Sequence, residues 1–127
     1  MVGLVLVSHS EDIAKGLTDL AGQMAGPEVQ IEAAGGAPDG TLGTDDGRVR
    51  DAIRRANSGD GVVVIGDLGS AILTVRHVLE RNGNGGARLA DAPFVEGAVA
   101  AAVVASVGAD IEAVIKAAED ARNANKL

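Results

Sequence analysis

The chain has no cysteine, no tryptophan and no tyrosine, and Phe94 is its one aromatic side chain. Without thiols there are no disulfides, no thiolate nucleophile and no Cys-ligated metal, a composition that suits a cytoplasmic protein. Without aromatic rings there is no platform for stacking the bases of a single-stranded nucleic acid. Basic residues are also scarce, 11 against 18 acids for a net charge of −7, and such a surface repels phosphate backbones. Long hydrophobic runs are missing. Val2–Val7 has no basic segment before it and is too short for a leader or a membrane span. The Ala-rich stretch Ala98–Val107 ends at Gly108 and fits a buried helix, so no membrane insertion is expected. With two histidines, His9 and His77, and no suitable cluster of carboxylates, no metal site is expected. The Gly-Lys-Ser/Thr of a P-loop and the Gly-x-Ser-x-Gly of a nucleophile elbow are absent. Gly83-Asn84-Gly85-Gly86 follows a helical pattern rather than a strand, the wrong context for binding a dinucleotide.

What remains is an alternation of strand-like and helix-like segments over 127 residues, 46% of them hydrophobic, the size of one domain spanning 1–127. Val2–Ser8 reads as a fully buried strand. Ser10 is placed to cap a helix whose first turn carries Glu11 and Asp12 and in which Ile13, Leu17, Leu20 and Met24 recur at helical spacing, up to Gly26-Pro27. Val29–Ala34 is a second strand, running into the glycine-rich loop Gly35–Gly43. Thr44 caps a second helix through Ala52, Ile53 and Ala56. Val62–Ile65 is a third strand, Ser70–Arg81 a third helix and Arg88–Asp91 a short fourth strand. The helices Val95–Val107 and Ile111–Asn123 follow, separated by Gly108 and capped by Asp110. This order predicts an α/β fold, a mainly parallel four-stranded sheet with helices on both faces.

His9 stands where the first strand hands over to its helix, the place where open α/β sheets bind ligands. As a nucleophile or general base it would lie beside helix N–H groups that favour an anion; alternatively it only bonds locally. Asp67 ends the apolar run Val62–Gly66, and carboxylates are rarely placed there without a partner. It can accept the proton of one ring nitrogen of His9, fixing the tautomer and activating the other nitrogen, and it can also cap the turn that follows. In Gly66-Asp67-Leu68-Gly69-Ser70-Ala71, backbone N–H groups and the Ser70 hydroxyl could cradle a phosphoryl group. Thr41, Gly43 and Thr44 could close over the same site. His77 falls in mid-helix and reads as a surface residue. Asp91 and Glu96 read as solvated acids near the fourth strand. Leu42, Leu68 and Ile72 are candidates for an apolar docking rim.

Val5-Leu6-Val7-Ser8-His9-Ser10, Gly40-Thr41-Leu42-Gly43-Thr44, Gly66-Asp67-Leu68-Gly69-Ser70-Ala71 and Ala92-Pro93-Phe94-Val95-Glu96-Gly97-Ala98 together resemble the phosphotransfer (M) subunits of phosphoenolpyruvate-dependent dihydroxyacetone kinases. These are mannose-type IIA domains of the phosphotransferase system, and the resemblance covers essentially the whole chain. It implies a three-layer sandwich with sheet order 2-1-3-4, a homodimer, and phosphorylation of His9 on Nε2 with Asp67 as its hydrogen-bonding partner. Leu68, Gly69, Ser70 and Ala71, with Ser10 and Thr44, would hold the phosphoryl group. The resemblance further implies phospho-HPr as donor and, as acceptor, ADP held with Mg²⁺ on the L subunit, whose ATP phosphorylates dihydroxyacetone on the K subunit. No cofactor is expected on this chain. Some M subunits continue into HPr-like and enzyme-I-like domains; a chain ending at Leu127 would need a separate donor. Mannose-type transporter domains carry a longer Gly-Gly-Ser-Pro-like turn after the aspartate, so Leu68-Gly69-Ser70-Ala71 favours the kinase branch. A IIA component of a sugar transporter, or a non-catalytic α/β regulatory module in which His9 is structural, are the alternatives.

Overall fold

Every residue of strand β1 (Gly3–Ser8) is buried, as its unbroken apolar run requires. A computed structural model describes residues 1–127 and continues from β1 through α1 (Glu11–Ala25), β2 (Ile31–Gly35), α2 (Asp46–Ala56), β3 (Val62–Gly66), α3 (Gly69–Asn82), β4 (Ala87–Leu89), α4 (Phe94–Ser106) and α5 (Ile111–Asp120), with a short 3₁₀ turn at Ala121–Asn123. The sheet is parallel throughout and ordered β2-β1-β3-β4, the α/β architecture and strand order that were expected.

Alternate residues of each strand point to opposite faces of the sheet, and the two central strands use this to build two cores. Leu4 and Leu6 of β1 with Val63 and Ile65 of β3 pack under α1, α4 and α5. Val5 and Val7 with Val62 and Val64 pack under α2 and α3. All eight side chains are fully buried; each stabilises the fold by roughly 1.5–3 kcal/mol relative to exposure. The sheet is thus held most firmly at β1 and β3, the two strands that carry His9 and Asp67.

Register puts their ends side by side. Val7 of β1 lies opposite Gly66 of β3, and Ser8 lies opposite Gly35 of β2. The chain leaves β1 toward β2 on one side and returns to β3 on the other, so the gap between the carboxyl ends of β1 and β3 is a topological switch point, the ligand crevice of open α/β sheets. Gly35 keeps that corner tight: a Cβ there would lie 2.6 Å from the Ser10 carbonyl oxygen and 2.8 Å from the Ala14 Cβ.

Local differences from the sequence reading have physical causes. Strand β2 begins at Ile31 and reaches Gly35 rather than spanning Val29–Ala34, because its limits are set by pairing with Leu4–Ser8. Strand β4 is only Ala87–Leu89, the length over which β3 pairs with it. On α1 the buried positions are Ala14, Leu17 and Ala21, whereas Ile13, Leu20 and Met24 are exposed. The cap of α2 is Asp45, whose carboxylate accepts the Arg48 N–H at 2.9 Å, rather than its neighbour Thr44. The last helix ends at Asp120 and tightens into the 3₁₀ turn. No helix is long and apolar enough to cross a membrane.

Candidate functional site

The rigid strand ends bring His9 and Asp67 into direct contact: the His9 Nδ1 lies 3.0 Å from Asp67 Oδ1. A carboxylate only accepts, so Nδ1 carries the proton and donates it. In the neutral ring this leaves the lone pair on Nε2. The Ser70 hydroxyl donates to that nitrogen. The pair is sheltered but not sealed, with side chains 24% and 14% exposed for His9 and Asp67.

Asp67 is held by four donors. Its Oδ1 also accepts the Leu68 N–H at 2.7 Å, so the carboxylate caps its own turn as well as pairing with the ring. Its Oδ2 accepts the Ser8 hydroxyl at 2.7 Å and the His9 N–H at 3.1 Å. Burial pushes the carboxyl up, but the Ser8 hydroxyl, the His9 ring and the two backbone N–H groups outweigh it and hold Asp67 below the ordinary carboxylate range. Asp67 therefore stays ionised beside the ring at any pH near neutral.

Helix α3 begins immediately after. Leu68 stands at its cap position without a side-chain cap bond, and the first two N–H groups of the helix, those of Gly69 and Ser70, have no acceptor within the fold. Free donors at a helix N-terminus, where the dipole is positive, are a ready anion site. They lie beside the very nitrogen that carries the lone pair. The arrangement can hold an imidazole in one tautomer, expose its nucleophilic nitrogen and stabilise a dianionic group attached there.

The other expected residues fall around this centre in different ways. Ser10 caps α1 by accepting the Ile13 N–H at 3.2 Å. Ala71 is fully buried and its N–H is taken by the Leu68 carbonyl at 3.0 Å, so it packs the turn rather than offering a donor. The Thr44 hydroxyl bonds the Thr74 hydroxyl at 2.7 Å and does not contact His9; Thr74 in turn bonds the Ser70 carbonyl at 3.1 Å. The glycine-rich loop does reach the site through its backbone, Gly43 N–H donating to the His9 carbonyl at 2.9 Å. Leu42 and Leu68 are 78% and 62% exposed, whereas Ile72 is half-buried and helps line, with Leu68, Leu89 and Arg76, a cleft of about 310 Å³ beside Asp67. His77 is exposed and bonded to Asp46 at 2.8 Å. Asp91 pairs with Arg122 and Glu96 with Lys126. The residue missed from the sequence is Ser8. It is the one buried polar side chain of the chain, and its signal was a hydroxyl closing an otherwise apolar strand.

The model of the family described as the PTS system fructose IIA component matches residues 3–115. Among curated proteins the chain is similar to the phosphoryl donor subunit DhaM of PEP-dependent dihydroxyacetone kinase 2 from Listeria innocua, with 37% identity over 119 residues, covering 91% of this chain and 95% of that protein. It is 36% identical over 112 residues to the phosphotransferase subunit DhaM of the PTS-dependent dihydroxyacetone kinase of Lactococcus lactis, covering 88% and 89%. The Escherichia coli DhaM is 41% identical over 121 residues, but there the chain spans only 26% of the relative. A crystal structure of a protein of unknown function, EF1359, superposes with a TM-score of 0.83 at 35% identity, covering 94% of this chain and 95% of that one.

Proposed function

The chain belongs to the family of PTS system fructose IIA components, with DhaM subunits among its relatives, and from that membership we propose that it is the phosphoryl carrier of a dihydroxyacetone kinase. His9 Nε2 takes the phosphoryl group from phospho-HPr and passes it to ADP, held with Mg²⁺ on the L subunit; the ATP formed serves dihydroxyacetone on the K subunit. The observation that carries this reading is the His9 ring, tied through Nδ1 to an ionised Asp67 and presenting Nε2 at the open N-terminus of α3.

The chemistry balances on these residues. The Ser70 hydroxyl turns off Nε2 toward the incoming phosphoryl oxygens. The freed Nε2 lone pair attacks phosphorus in line, an Nε2–P bond forms, and the donor's P–N bond breaks with its electron pair returning to the donor imidazole. Nδ1 keeps its proton, so the phosphorylated ring is an imidazolium, and the Asp67 carboxylate 3.0 Å away offsets that charge. In the second transfer an ADP oxygen attacks phosphorus and a neutral imidazole leaves, restoring the starting state. The free N–H groups of Gly69 and Ser70 and the Ser70 hydroxyl stabilise the phosphoryl oxygens, the positioning and electrostatic work that phosphoryl transfer asks of a protein. This chain needs no cofactor of its own for either step. Leu42 and Leu68 form the exposed rim on which donor and acceptor dock in turn, and the reactions take place in the cytoplasm. The carrier works as a homodimer, a proposal supported by the apolar side chains Ile13, Leu20, Met24, Val95 and Val103 that α1 and α4 leave exposed.

The matching family's own description, a fructose IIA component, favours a second reading in which the acceptor is a transporter component. Discharge of the phosphorylated protein separates the two. Incubation with the L and K subunits, ADP and dihydroxyacetone is expected to yield dihydroxyacetone phosphate and unmodified carrier. A phosphoprotein that discharges only to a transporter IIB component would overturn the kinase assignment.

A further inference from the structure

We propose that Ser8 is a positioning residue for transfer at His9, acting through Asp67; the inference rests on the carrier reading above. Ser8 ends β1 with none of its surface exposed, the single polar side chain in the buried set. Its hydroxyl oxygen accepts the Ser10 N–H at 3.0 Å, and its one proton is given to Asp67 Oδ2 at 2.7 Å. Accepting from a fixed backbone donor orients the hydroxyl, so the proton has a single destination.

The consequence reaches the ring. Asp67 Oδ1 is the atom that receives Nδ1–H, and its position depends on how the carboxylate is turned about its own bond. Oδ2 is anchored by two donors, and Ser8 supplies the shorter bond; the other is the His9 N–H at 3.1 Å. The Ser8 hydroxyl is also the foremost of the contacts that keep the carboxyl ionised. Without it Oδ2 keeps only the longer His9 N–H bond while the Leu68 N–H still holds Oδ1 at 2.7 Å, so the carboxylate can pivot about Oδ1 and the ring it orients loses its fixed tautomer and its in-line aim. Supporting partners of this kind typically cost about ten- to a hundredfold in activity when removed.

The test compares Ser8→Ala and Ser8→Thr with the wild type, using imidazole ¹⁵N shifts at about pH 8.5, where imidazoles are neutral, together with the rate of phosphoryl uptake from phospho-HPr. The expected result is a folded Ser8→Ala protein whose His9 ring spreads over both tautomers and charges about ten- to a hundredfold more slowly, with Ser8→Thr restoring both readouts. His77, bonded to Asp46 instead, serves as internal reference. Ser8→Cys, a weaker donor of similar shape, carries the comparison should Ser8→Ala fail to fold. A folded Ser8→Ala with the wild-type tautomer and rate overturns the proposal, as does a loss of thermal stability with both readouts intact, which is the signature of a merely structural hydroxyl. A wild type that never charges refutes the carrier reading, while the tautomer measurement still decides the role of Ser8.

Discussion

Replacing Asp67 with Asn tests the electrostatic core of the mechanism at nearly constant shape. The four donors around Asp67 are matched to two oxygens, and an amide has only one. With its NH₂ group at the Oδ2 position, the amide confronts the His9 N–H. With NH₂ at the Oδ1 position, it confronts the Leu68 N–H and forces the ring to present Nδ1 as an acceptor, moving the proton onto Nε2 and removing the nucleophilic lone pair. In either orientation the charge that offsets the phosphorylated imidazolium is gone. At the 3.0 Å separation of this pair and an effective dielectric of about 20, that attraction is about 5 kcal/mol, equal to roughly four decades in rate. The partial exposure of both groups and the residual amide dipole reduce it, so Asp67→Asn should charge about 10²- to 10⁴-fold more slowly, in line with the loss of an orienting aspartate elsewhere. Initial rates of phosphoryl uptake by intact mass, with circular dichroism to establish folding, measure this. A folded variant that charges within about threefold of wild type, a difference below 1 kcal/mol, would show that the Asp67 charge does not govern transfer.

Gly35→Ala places a Cβ 2.6 Å from the Ser10 carbonyl oxygen and 2.9 Å from the Glu11 Cα, backbone that cannot swing aside. A cost of about 1–3 kcal/mol is expected, lowering Tm by roughly 3–10 °C in a scanning melt; an unchanged Tm would show that β2 and α1 part without penalty. The depressed Asp67 carboxyl fixes the sign of one pH effect. Its contribution to stability is complete above the ordinary carboxylate value of about 4 and is lost as the pH falls below that through the lower native value. Denaturant titrations from pH 6 downward should therefore show wild type and Asp67→Asn converging in acid; parallel curves would contradict this.

The central strands were legible because β1 and β3 are buried on both faces, which leaves short, Val-rich apolar runs bounded by turn and cap residues, too short for a buried helix. His9 and Asp67 stood out for the same reason: a histidine and a carboxylate at the ends of such runs have no ordinary packing role. The strand order was carried by the likeness to mannose-type IIA domains, since alternation alone admits several parallel sheets. The edges were harder. The limits of β2 and β4 depend on how far β1 and β3 offer partners, which no local pattern records. Thr44 and Asp45 are both good caps one residue apart; Asp45 takes the Arg48 N–H while the Thr44 hydroxyl is engaged with Thr74, a tertiary contact that the local sequence does not record. On α1 the alanines Ala14 and Ala21 are buried while the larger Ile13, Leu20 and Met24 are exposed, a fact of packing rather than of hydropathy. Ser8 escaped notice because a serine at a strand end reads as the start of a turn; its partner is 59 residues away in sequence.

The proposed function turns on phosphorylation of His9 at Nε2. The most direct measurement is to incubate the protein with phosphoenolpyruvate, enzyme I and HPr, and to record intact mass and ³¹P spectra beside His9→Gln. One acid-labile phosphoryl group per wild-type chain, bonded to Nε2 of His9 and absent from a folded His9→Gln, is the predicted result. Charged HPr with no adduct on the wild type, or an adduct that survives in His9→Gln, would rule out His9 as the phosphoryl carrier.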